Sequence, residues 1–230
     1  SWDAEGDSAI IQRLNSANAV VETTSVVPTG QLPVTIPSEG TVLYYRLVVT
    51  RGGQEVARSV PINVQIPCTI SWFFGNQFVT DGACPLAQEI SGVGAYQPFQ
   101  NGFMVFVTAN GQNRVYGFNA SNGQYAVYNN AWDGTTVFPC PCGNAPAGLF
   151  EPQGVFNWAY NNTNGTVGTW YGPTGIGWST ALADTNNVQV VQFEQNGTTF
   201  YMRIPGYGVV RLSGAVPGTI GTWTRVQGAF

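Results

Sequence analysis

Apolar and polar residues alternate with a period of two along much of this chain. Tyr45, Leu47 and Val49 alternate with Arg46, Val48 and Thr50; after Arg51-Gly52-Gly53, Val60, Ile62 and Val64 alternate with Ser59, Pro61 and Asn63. That period puts every second side chain on one sheet face, so the stretch predicts a hairpin with a Gly-Gly turn and one apolar side. Pro61 has no N–H to give to a ladder, so its strand is expected at an edge or donating on one side only. Upstream, Asp7 to Val27 holds neither Gly nor Pro, and Ile10, Leu14, Ala17 and Val21 would line up on a helix. The β-branched pairs Val20-Val21, Thr23-Thr24 and Val26-Val27 suit strands better. Two strands around Asn15-Ser16-Ala17-Asn18 are therefore expected, with a helix as the alternative.

A second pattern repeats. Phe99-Gln100-Asn101-Gly102-Phe103-Met104 is followed by Arg114-Val115-Tyr116-Gly117-Phe118 and Gln124-Tyr125-Ala126-Val127-Tyr128. A weaker copy reads Phe193-Glu194-Gln195-Asn196-Gly197 through Met202, then Gly208 to Leu212, then Gly221 to Val226. Asn-Gly between apolar runs predicts a type I′ hairpin turn, whose two central residues need positive φ. Each copy reads as a meander of two or three strands that buries one face, so neighbouring copies must pack together. The expected fold is all-β. Residues 1–66 form a first β block and residues 67–230 a disulfide-bearing domain of repeated antiparallel hairpins, with the stretch from Trp72-Phe73-Phe74 to Asp81-Gly82-Ala83-Cys84-Pro85 as a stiff collar between them.

Composition narrows the function classes. The chain has 230 residues, 43% hydrophobic and only 9% charged, with eight Arg and no Lys or His. A surface so poor in charge rests on amides and hydroxyls and offers little repulsion between copies. A net charge of -4 and scattered arginines give no basic stripe for nucleic acid. No apolar run approaches the length of a membrane span. Ser1 stands where an initiating Met would be, so the chain reads as excised from a longer precursor.

Cys68, Cys84, Cys140 and Cys142 make an even count without metal-ligand spacing, which favours disulfides and an extracellular or cell-surface location. Cys68 with Cys84 is the preferred pair. Cys140-Pro141-Cys142 either closes on itself or pairs elsewhere, and zinc would need an all-Cys site. No cofactor is expected.

Two resemblances add to this. Ser1-Trp2-Asp3-Ala4-Glu5-Gly6 and Tyr44 to Val64 resemble the second and the last two strands of bacterial immunoglobulin-like surface modules. Such modules are β-sandwiches that begin with a strand ahead of the Trp-bearing one, so the resemblance implies that residues 1–66 form a sandwich short of its first strand: the sequence is trimmed, the sandwich is a minimal one, or a neighbour inserts a strand by β-augmentation. Residues 67–230, with Gly148-Leu149-Phe150-Glu151-Pro152 and Gly175-Ile176-Gly177-Trp178 between the hairpin copies, resemble repeats of extracytoplasmic proteins from Chloroflexota-type filamentous bacteria. That resemblance implies compartment and architecture, and no activity.

Candidate chemistry is sparse. Without His or Lys the common nucleophile–base pairs are excluded. Asp133, Glu151, Asp184 and Glu194 are the acids open to a carboxylate pair, although solvated turn residues read the same way. Trp132, Trp158, Trp170, Tyr171 and Trp178 would suit a platform for a cell-surface glycan, or a core. Asn119, Asn161, Asn164 and Asn196 stand in glycosylation triplets, and Asp81-Gly82 and Asp133-Gly134 lack the acids of a calcium loop. The sequence is therefore read as a non-enzymatic surface protein that associates with copies of itself into a filament or layer. Ser1 and Trp2 mark the accepting side; the run from Thr222 to Phe230, anchored by Trp223, Val226 and Phe230, is the candidate donor strand. The alternative is a carbohydrate-binding adhesin.

Overall fold

A computed structural model describes residues 1–35, 37–79, 81–109, 111–161, 170–171, 174–214 and 216–228. Two compact units result: Ser1–Thr69 with Val79–Cys84, and Ile70–Phe78 with Pro85–Phe230. The boundary is interleaved, unlike the single cut expected after residue 66. A Cys68–Cys84 disulfide keeps the Asp81 turn in the first unit. Trp72 and Phe74 belong to the second, with ring centroids 4.5 and 4.8 Å from that of Tyr201.

The first unit contains β1 (Trp2–Asp3), β2 (Ser8–Leu14), β3 (Val20–Val26), β4 (Thr29–Gly30), β5 (Val42–Arg51), β6 (Gln54–Arg58) and β7 (Ile62–Gln65). All pairs are antiparallel. One sheet runs β3-β2-β5-β6, with β7 also on β5, and the other is the pair β1-β4. The helix alternative for residues 7–27 fails at the turn. Asn15 Oδ1 accepts the N–H groups of Ala17 and Ala19, at 2.9 and 3.0 Å, and Asn18 sits at φ 61°. These local bonds offer the backbone a partner that a helix would lose. Gly52 and Gly53 both have positive φ, 56° and 78°, the type I′ requirement. Pro61 falls in the break between β6 and β7, at the sheet edge. Trp2 Nε1 donates to Val27 O at 2.9 Å. Among the described residues, the buried apolar side chains of this unit are Ala9, Leu14, Val48, Val49 and Cys84, a thin core.

The second unit contains β8 (Ile90–Phe99), β9 (Gly102–Thr108), β10 (Arg114–Asn119), β11 (Gln124–Asn129), α1 (Val155–Asn161), β12 (Asp184–Phe193), β13 (Thr199–Ile204), β14 (Gly208–Ser213) and β15 (Ile220–Arg225). Its strands close into an antiparallel barrel in the order β8-β9-β10-β11-β15-β14-β13-β12. Each half is one four-stranded meander. The first strands of the halves pair with each other, β8 with β12, and so do the last, β11 with β15. Closure of this kind leaves no free edge. Facing rows match between halves: Phe103, Phe118 and Tyr125 in one, Phe200, Leu212 and Trp223 in the other, all within one core.

The Asn-Gly pairs do not form the expected type I′ turns, since Asn18 is the one described non-glycine residue at positive φ. Gly102 is needed for another reason: a Cβ there would lie 1.9 Å from Phe118 O. At the second pair, Gly197 alone takes the left-handed position, φ 69°, while Asn196 Oδ1 accepts the N–H groups of Thr198 and Thr199. The segment between the halves folds over the outer face of the first. Val155, Phe156, Trp158, Ala159 and Tyr160 of α1 pack with Trp170 and Ile176 on Met104, Val115 and Ala126. A Cβ on Gly117 would come within 2.7 Å of the Trp170 ring, so the bare glycine makes the slot for that side chain.

Candidate functional site

Among the described residues of the first unit, strand β3 is paired on one side, with β2. The opposite edge of the sheet is guarded. It is broken at Pro61, β5 and β6 are out of register after Val49, and Arg58 holds Glu55 through two bonds of 2.6 and 2.8 Å. Breaks, bulges and charges are the usual means of blunting an edge. Strand β3, Val20-Val21-Glu22-Thr23-Thr24-Ser25-Val26, carries Glu22 and one irregularity at Val21, where its register with β2 shifts between Arg13 and Leu14, and is regular from Glu22 to Val26. That charge is already taken by Arg13 across the β2–β3 ladder, at 2.8 Å. Val20 and Val21 are 44% and 50% exposed. The strand is rich in β-branched residues and, among the described residues, its outer backbone donors and acceptors pair with no other strand.

Laid antiparallel on a second copy with Thr23 on the two-fold axis, β3 sets Glu22 opposite Thr24, with the irregular Val20-Val21 stretch running toward Ser25 and Val26. No like charges face each other directly, so the strand is self-complementary.

The second unit has an outer groove of about 640 Å³, lined by Val93, Ala95, Phe106, Trp132, Gln153, Val155 and Ala183 among others. Its polar groups are turned to the protein itself. Asn130 Oδ1 accepts from Trp132 N, Gln153 N donates to Gln97, Gln153 Oε1 accepts from Ala183 N, and Trp132 Nε1 donates to Thr136 O. What remains is an apolar trough. Val93 and Val188, 66% and 61% exposed, lie directly opposite each other across β8 and β12.

The five rings expected as a sugar platform do not share a surface. Trp132 lines the groove, whereas Trp158 and Trp170 are buried against Tyr128. Tyr171 and Trp178 pack on Tyr160. Their spacing served to cover a sheet, so two of the rings have no face left for a ligand. The expected donor strand is also spent elsewhere. Thr222 to Arg225 belong to β15, paired with β14 along this whole run and with β11 as far as Thr222, and Trp223 is buried with its Nε1 shared between Asn119 O and Gln124 O. Val226 N donates to Val209 O, and Phe230 lies outside the described residues. Ser1 is exposed and Trp2 half-buried beside Gly30.

The acids each serve a neighbour. Glu194 is buried and accepts from Arg211 at 2.8 and 3.0 Å, Tyr201 at 3.2 Å and Asn196 at 2.7 Å. Asp133 caps its own turn through Thr135 N, Thr136 N and the Thr136 hydroxyl, and these bonds hold its carboxyl down at about 2. Glu151 accepts from Ala145 N and Asp184 from Asn186 N. Of the glycosylation triplets, Asn119 is buried, bonded to Thr174 O and Ser121 N, which removes it from the surface. Asn161 donates to Phe138 O and Asn196 to Glu194, while Asn164 lies outside the described residues. Both disulfides form, Cys68–Cys84 and Cys140–Cys142, so the second pair takes the option of closing on itself. Among the described residues no three His, Cys, Asp or Glu side chains converge as metal ligands would. None of the described helices is long and apolar enough to cross a membrane.

The chain is thus an all-β protein of two antiparallel units, one with an open sheet and one a closed barrel. No protein-family model, curated protein or solved structure matches it. Sequence reasoning found β3 as a strand but not as the exposed edge. The signal available was the contrast between a strand without Pro and a partner edge interrupted by Pro61.

Proposed function

We propose that this is a non-enzymatic extracellular structural protein that self-associates, with its first unit an immunoglobulin-like surface module. The observation that carries the reading is the edge strand β3, paired on one side with β2 and without Pro, whose regular stretch Glu22 to Val26 is self-complementary about Thr23. Two disulfides favour an oxidising compartment. A surface with 9% charged residues puts little electrostatic cost on bringing copies together. The edge pair supplies backbone hydrogen bonds, the usual currency of β-augmentation.

A strand pair by itself buries less than the roughly 1,000 Å² that a lasting interface needs, so assembly calls for a second contact. The Val93–Val188 patch with its groove is the surface suited to it. Two different two-fold contacts on one chain link copies into an open row, which is how a filament or layer would grow. The strand that completes the contact is β3 of a neighbour, in place of the C-terminal run. Light scattering over a hundredfold concentration range tests the reading. It predicts a mass that climbs well above that of one chain, and a constant single-chain mass would overturn it.

A further inference from the structure

The Cys140–Cys142 bridge stands apart from the first disulfide. Cys68 and Cys84 enclose a separation of 16 residues, whereas Cys140 and Cys142 are two apart with only Pro141 between them. A disulfide stabilises mainly by restricting the unfolded chain, and this benefit shrinks with the loop it closes. The one-residue loop therefore gains the less of the two. Nor does the bridge hold its segment in place. Phe138 N donates to Asn157 Oδ1 at 2.7 Å, and Phe138 O accepts from Asn157 Nδ2 and Asn161 Nδ2. On the far side Ala145 N is bonded to Glu151. The loop is pinned at both ends without its sulfurs.

The two sulfurs are unlike. Cys142 is exposed, while Cys140 is half-buried and packs on the core under α1. The Cys142 N–H donates to Cys140 Sγ at 3.3 Å, and Gly143 N closes a turn onto Cys140 O. An exposed bridge is the kind open to thiol–disulfide exchange, and a backbone donor stabilises charge on the sulfur that leaves.

We propose that Cys140–Cys142 is a thiol–disulfide exchange site for an accessible dithiol on another protein or peptide, with Cys142 the attacked sulfur and Cys140 the leaving one. A substrate thiolate attacks Cys142 Sγ. The Cys140–Cys142 bond breaks, its electron pair goes to Cys140 as a thiolate beside the Cys142 N–H, and a mixed disulfide joins the substrate to Cys142. The second substrate thiolate then attacks the first substrate sulfur and expels Cys142. The substrate ends as a disulfide, the Cys140/Cys142 pair as two thiols, and two electrons have moved from the dithiol to the protein. Without a second substrate thiol, Cys140 re-attacks Cys142 and the bridge is restored.

The full chain is equilibrated in buffers of increasing reduced to oxidised glutathione, acid-quenched, alkylated and mapped by mass spectrometry. The Cys140–Cys142 bridge should open at a reduced-to-oxidised ratio at least tenfold lower than Cys68–Cys84. Early glutathione adducts should sit on Cys142 in at least tenfold excess over Cys140. With a dithiol peptide as probe, close to one equivalent of peptide disulfide should form per chain, and none with the double substitution C140S and C142S. Opening of both bridges together, adducts mainly on Cys140, or no peptide oxidation would each overturn the assignment. The first two readouts need no variant, so misfolding of the double variant cannot mask the result.

Discussion

Gln97 and Gln192 hold the same position in the two halves of the barrel and perform the same task. Gln97 faces Met104 across β8–β9, and Gln192 faces Tyr201 across β12–β13. Both are fully buried on the outside of the wall, each clamping the segment laid over it. Gln97 accepts from Gln153 N and donates to Ala181 O. Gln192 accepts from Phe73 N at 2.9 Å and donates to Ser71 O and Ala87 O at 3.1 and 3.0 Å. One amide per half supplies the donor and acceptor that two incoming loops would otherwise leave unpaired.

Replacing these amides by leucine keeps the volume and strands the backbone groups. Each buried group left without a partner costs about 1–3 kcal/mol. Q192L severs three bonds and Q97L two, so Q192L should lower the barrel's unfolding free energy in urea titration the more, by about 3 kcal/mol or above.

Gln189 is the opposite case. It is fully buried, pairs with Gly92, and neither Nε2 nor Oε1 has a hydrogen-bond partner. An unpaired amide in a core is a cost that an apolar side chain of similar shape removes. Q189M should raise the thermal midpoint of the barrel in a calorimetric scan, by a few degrees for about 1 kcal/mol.

The Glu194–Arg211 pair should respond unequally to its two halves. The glutamate side chain is 4% exposed and the arginine 38%. Removing the cation leaves a buried carboxylate uncompensated, so R211M should cost about 3 kcal/mol. E194Q keeps an acceptor for Arg211 and Tyr201 and should cost less, about 1 kcal/mol. Denaturant titration of the two variants side by side checks the order.

Asp133 gives the pH signature. Its folded value lies below the ordinary carboxylate value because Thr136 and Thr135 donate to its charged form. A depressed value means that the contribution is complete above about 4 and is lost as pH falls toward 2. Trp132 Nε1 is bonded to Thr136 O in the same turn, so Trp132 fluorescence should change over that interval. D133N should abolish the change.

Much of the local fold was legible. Asn15 to Asn18 and Gly52-Gly53 announced their turns because both rely on side-chain bonds or φ angles that few residues supply. The duplicated meander was visible in the Phe99 and Phe193 stretches. Barrel closure was not, because the pairing of β8 with β12 joins residues some ninety positions apart and leaves no local mark. The same gap explains Trp223: alternation along Gly221 to Arg225 is identical for a wall strand and for a loose donor. The rings of the insert were ambiguous for a related reason. Helix α1 has seven residues, too short for a periodic stripe, and its burial of Trp158 depends on the sheet beneath.

The central claim is that β3 is the contact between copies. T23K places two ammonium groups opposite each other when β3 pairs with itself, while N63K puts the same charge on the guarded edge at β7. Sedimentation velocity of both variants beside the parent is the direct measurement. Assembly in N63K and a single-chain species in T23K is the expected result, and equal assembly in all three would contradict the account.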